Sequence, residues 1–142
     1  MNKPFTLFVL TVLALGAVLL TAACTFTVNR EKPPVLAGPT DSLQVGLNQL
    51  VVCEHFSLDG KEASTNGKKK SQLVIDVING KNIPGGDSMT ALAKVIGLEV
   101  KKALRDTGEY DHYTVRFMTV KVDGGMTTRN WTGKEFTSAE LQ

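Results

Sequence analysis

The sequence predicts a two-layer α+β sandwich, ββαββ, with one helix packed on a four-stranded mixed sheet. Three observations carry that prediction. Three stretches alternate their side chains with period two, the pattern of strands, and a fourth follows a hairpin turn signal. One stretch between the second and third has helical spacing. A single helix cannot cover both faces of such a sheet, so one face stays open.

The first strand is read in "LNQLVVCEHFSL", residues 47–58. Leu50, Val52, Phe56 and Leu58 fall on one face, and Val51, Cys53, His55 and Ser57 on the other. A short extended or helical piece over Leu43 to Leu47 precedes it. "DGKEASTNGKKKS", residues 59–71, is polar throughout with Asp-Gly and Asn-Gly turn signals, and is expected to form an exposed hairpin loop. "QLVIDVING" resumes the alternation with Leu73, Ile75 and Val77 against Val74, Asp76 and Ile78. Both faces are mostly apolar, which predicts a central strand.

"NIPGGDSM" breaks the chain, and Asp87 or Ser88 is expected to cap the helix that follows. Leu92, Val95, Ile96, Val100, Ala103 and Leu104 form its apolar stripe, and Gly108 its stop. Gly97 costs such a helix up to about 1 kcal/mol against alanine, which close packing on the sheet would explain. "HYTVRFMTVKV" alternates again, "DGG" at Asp123 to Gly125 supplies hairpin chemistry, and "MTTRNWTG" reads as a last strand ending near Trp131. The helical connection is long enough to make the central strands parallel, with antiparallel hairpins outside them.

The front of the chain has another character. Nineteen residues without a charge, Phe5 to Ala23, follow Lys3 and end in the small residues Thr21, Ala22 and Ala23 before Cys24. Here the sequence resembles a bacterial lipoprotein precursor, with Ala22 and Ala23 before the lipobox cysteine and Thr21 where the class usually has leucine. The resemblance covers the first two dozen residues and names no functional family for the rest. It implies removal of a signal peptide, residues 1–23, and attachment of lipid to Cys24. Ordinary signal cleavage and a retained transmembrane anchor are the alternatives, since about 20 apolar residues span a bilayer. Residues 24–42, with Pro33, Pro34, Gly38 and Pro39, are expected to form a lipidated N-terminus and flexible linker, and residues 43–142 a single α+β domain. Cys53 is then a lone thiol, expected to be a small buried hydrophobe.

Beyond residue 23 the chain holds 15 of its 16 basic residues and all 14 acidic ones, because only Lys3 is lost. That balance argues against nucleic acid as the main partner. No motif names a reaction. Lys68, Lys69 and Lys70 are the most concentrated charge and are candidates for anion or lipid contact, against the simpler reading of a solvated hairpin tip. Trp131, the one tryptophan, is a candidate partner contact, against packing on the domain. Glu109, Asp111, His112 and Tyr113 lie close in sequence, but neighbours on a strand point to opposite faces. His55 and His112 lack metal-ligand spacing, so no metal or cofactor is expected. The expectation is a non-catalytic envelope module held at a membrane by lipid, at the outer membrane if the host is Gram-negative. It would bind an envelope protein or polymer. The alternative is a small envelope hydrolase pairing a histidine with a carboxylate.

Overall fold

The structure, a computed structural model, describes residues 27–142. The expected signal segment and Cys24 lie outside the described residues. The elements in order are β1 (Thr27–Glu31), α1 (Thr40–Leu50), β2 (His55–Thr65), β3 (Lys68–Ile78), α2 (Gly86–Ala103), β4 (His112–Asp123) and β5 (Met126–Thr137).

The fold is α+β. One mixed sheet has the order β1-β2-β3-β4-β5, in which only β3 and β4 run parallel. The parallel central pair and its flanking hairpins follow the sequence pattern. The strand and helix numbers differ: there are five strands and two helices, where four and one were expected.

The added strand and helix come from the chain ahead of residue 51. β1 lies inside the stretch expected to be a linker, and it joins the sheet through backbone pairing with β2 rather than by burying side chains. Helix α1 takes up Leu43, Leu47 and Leu50, whose spacing is helical, and Pro39 stands at its N-cap with φ −61°. Strand β2 therefore starts only at His55. Val51 is buried in the turn before it and Val52 is exposed, the reverse of the expected faces.

The prolines of the supposed linker do not loosen it. Val35 accepts from the Arg105 amide at 2.8 Å, and Ala37 donates to the Ala103 carbonyl at 2.9 Å. This strap follows the end of α2. At its start, the Lys32 amide donates to the Gly60 carbonyl at 2.8 Å, and the Tyr110 hydroxyl donates to the Lys32 carbonyl. Lys32 Nζ donates to the Glu109 carbonyl at 2.7 Å and sits over the Tyr110 ring. Gly60 has no side chain where a Cβ would collide with the Lys32 carbonyl and the Tyr110 hydroxyl.

The polar stretch 59–71 is strand almost throughout. Only Asn66 and Gly67 form the loop, with φ +50° and +77°, as a type I′ hairpin turn requires. Gly124 and Gly125 make the equivalent turn between β4 and β5. The Asn-Gly signal marks the turn, whereas the Asp-Gly signal at Asp59 and Gly60 falls inside β2 and the loop is far shorter than expected, because polarity alone does not distinguish a loop from a strand with solvated faces.

Both helices lie on one face of the sheet. Leu73, Ile75 and Val77 of β3, Tyr113, Val115 and Phe117 of β4, and Phe136 of β5 meet Ala93, Ile96 and Val100 of α2 and Leu47 of α1. Val95, expected in this stripe, is exposed, and Ala93 takes its place. Neither Asp87 nor Ser88 caps α2. Gly85 is the N-cap, and Asp87 in the first turn still suits the helix dipole. The helix ends at Ala103, before Gly108, where Leu104 turns extended to meet Leu36. Gly97 is buried, and a Cβ there would lie 3.2 Å from Leu141, so the close packing expected at this glycine is present. Leu141 is sealed in by Lys101, whose Nζ donates to the carbonyls of Ser138 (2.6 Å) and Leu141 (3.0 Å).

Candidate binding face

Strand alternation sends the other half of the side chains to the face without helices. In the pairing register this face holds His55, Ser57 and Asp59 of β2, Gln72, Val74, Asp76 and Ile78 of β3, and His112, Thr114, Arg116 and Met118 of β4. On β5 it holds Arg129, Trp131, Gly133 and Glu135.

Its centre is an ion pair. Asp76 and Arg116 are direct partners across the parallel pair, and the guanidinium engages the carboxylate twice, Nε to Oδ1 at 2.6 Å and Nη2 to Oδ2 at 2.7 Å. Asp76 is 8% exposed, so the carboxylate stands where water is largely excluded, while the Arg116 side chain is 28% exposed. The hydrogen bond to Asp76 holds the Arg116 guanidinium above its already high ordinary pKa, and the charge stays fixed. The guanidinium carbon also lies 5.6 Å from the centre of the Trp131 ring, within cation–π range. Gly133, opposite Arg116, clears space for this side chain. A Cβ there would come within 2.7 Å of the Val115 carbonyl and 3.2 Å of Arg116 Cγ.

Asn79 ties off β3 where this face ends. Its backbone has φ +52°, its amide donates to the Met118 carbonyl at 2.8 Å, and its side-chain oxygen accepts from the Val120 amide at 2.8 Å. Beyond that point β4 and β5 continue without β3, as a two-stranded arm reaching the Gly124–Gly125 turn. Val122 and Met126 on the arm are each 73% exposed.

No family model, curated protein or solved structure matches this chain. Its reading rests on the residues themselves.

The sequence candidates fall at separate places. Trp131 lies on the open face, 60% exposed, between the ion pair and the arm. Lys68, Lys69 and Lys70 begin β3 at the opposite end, beside the Asn66–Gly67 turn. The two histidines share the open face without meeting. His55 is level with Ile78 and His112 with Gln72, six residues apart along β3, or about 20 Å. His112 Nδ1 is 3.1 Å from Glu135 Oε1, and Lys70 Nζ stands 3.5 Å from the same oxygen, so this carboxylate is shared by two groups at the surface. Asp111 serves the fold: its carboxylate accepts from the Ser71 amide and hydroxyl, both at 2.9 Å, and these bonds lower its pKa. Tyr113 points into the core, where burial pushes its hydroxyl up to about 12. Among the described residues no group of three or more metal-ligating side chains comes together. Cys53 is half-buried in the turn before β2, and burial raises its thiol pKa.

Sequence reasoning missed the Asp76–Arg116 pair. Each residue was placed on a strand, but their meeting depends on a register that no sequence signal fixes.

Proposed function

We propose that this protein is an envelope lipoprotein that is cut before Cys24, held in the membrane by lipid on that residue, and works as a non-catalytic binding or assembly module for another envelope protein. In a host with two membranes its place is the outer one, because Thr25 replaces the aspartate that retains many lipoproteins of this class in the inner membrane. The observation that supports a binding role is the edge strand β5. It closes the sheet on one side, and among the described residues no other element donates or accepts backbone hydrogen bonds along its outer side from Met126 to Phe136. An extended segment of a partner can add there as a sixth strand, its backbone meeting unpaired groups and its side chains meeting Trp131 and the arm. Arg129, Lys134 and Glu135 place charges along this edge, which works against indiscriminate pairing.

The test is site-specific photo-crosslinking in cells that produce the protein. A photoreactive side chain at Trp131 is expected to give a discrete adduct, and one at Val95, exposed on the helical side, is expected to give none. Equal adducts, or none, at both positions would overturn the assignment of β5 as the binding edge.

A further inference from the structure

The described residues begin at the same end of the sheet as the most basic segment. β1 is antiparallel to β2, so Thr27 lies opposite Thr65, with their hydroxyls 3.0 Å apart. Thr65 in turn lies opposite Lys68 across the Asn66–Gly67 turn. The chain enters the domain beside that hairpin tip. Cys24 precedes Thr27 by three residues, which reach at most about 11 Å when extended. With the anchor proposed at Cys24, only two residues stand between it and β1, so the tether is short.

The tip is cationic and loosely paired. Lys69 lies 3.6 Å from Glu62 and Lys70 3.5 Å from Glu135, with both lysine side chains more than half exposed. Lys68 meets no carboxylate among the described residues. Exposed ion pairs of this kind exchange readily for another anion. We infer that Lys68, Lys69 and Lys70 bind the anionic lipid headgroups of the membrane that carries the anchor, which stands the domain on its β2–β3 tip. This rests on the membrane tether proposed above. Ten residue steps along β3 from Lys68 to Ile78, level with Met118, and five more along β4 to Asp123 separate the two tips. At about 3.3 Å per step the Gly124–Gly125 turn points away from the bilayer at a distance of roughly 50 Å. Trp131 and the β5 edge then face outward, clear of the lipid.

Each lysine held at an anionic surface is expected to favour the docked orientation about fivefold. The test uses two forms of the full membrane-extracted chain, each with one tryptophan: the native chain with Trp131, and a chain with Trp131→Phe and Thr65→Trp, which marks the tip and keeps all three lysines. Both are reconstituted in phosphatidylcholine vesicles with or without phosphatidylglycerol, and quenched by a lipid carrying a nitroxide on its headgroup. With phosphatidylglycerol, the tryptophan at position 65 is expected to be quenched several-fold more than Trp131. Lys68→Gln with Lys70→Gln, or high salt, is expected to reduce that excess. Equal quenching at the two positions in a chain that floats with the vesicles would overturn the inference and leave the tether standing. An excess that ignores both phosphatidylglycerol and the lysine charges would also overturn it, because the tether alone would then place the tip. A chain that does not float would remove the tether and the inference together.

Discussion

Gly60→Ala is expected to destabilise the domain by roughly 3 kcal/mol or more, read as a lower denaturation midpoint with an unchanged slope. The added methyl collides with the Lys32 carbonyl and the Tyr110 hydroxyl, and neither group can step aside cheaply. The carbonyl belongs to backbone whose amide is bonded to Gly60 itself. The tyrosine is fully buried, and its ring meets Tyr113 edge-on at 6.3 Å. Relief requires either β1 and its strap to lift from the sheet or Tyr110 to leave the core. Tyr110→Phe in the same background separates these routes: it removes the hydroxyl half of the clash and is expected to recover only part of the loss. A Gly60→Ala chain as stable as the parent would show that the Lys32 junction does not hold the N-terminal strand. Under the proposed tether, that junction sets how closely the domain follows Cys24.

Arg116→Met is expected to cost about 3 kcal/mol, since it leaves Asp76 charged, 8% exposed and without its two hydrogen bonds. Asp76→Leu is expected to cost a similar amount by stranding the guanidinium. The double replacement is expected to fall well short of the sum, because the desolvation cost of both charges disappears with them. A double-mutant cycle by denaturant titration reads the coupling directly. The pair also shapes the open face: without the guanidinium beside its ring, Trp131 loses the contact that positions it next to the β5 edge. Strictly additive single effects would mean that the two residues act independently.

The parts of this fold that bury side chains were legible in the sequence, and the parts that rest on backbone pairing were not. Strand β3, helix α2 and strand β4 carry Leu73, Ile75, Val77, Ile96, Val100, Val115 and Phe117 at strand or helix spacing, and each lies in the core as expected. The Asn66–Gly67 and Gly124–Gly125 turns announced themselves by residue type, because few residues adopt a positive φ. By contrast, β1 reads "TVNRE", with one half-buried residue in five, so nothing in its pattern separates it from a linker. Of helix α1 the sequence showed only a short extended or helical piece over Leu43 to Leu47, because the apolar run through Val52 overlaid a strand pattern on its end and drew Leu50 into it. Of the candidate site, Trp131 and the three lysines could be named from residue type alone. That they stand at opposite ends of one sheet, with the chain entering beside the lysines, required the register.

Mass spectrometry of the mature protein from its native membrane tests the central proposal most directly. The expected result is an amino-terminal Cys24 carrying a diacylglycerol on its sulfur. A mature chain that carries no lipid on Cys24, whether it starts at Met1 or at another residue, would contradict it.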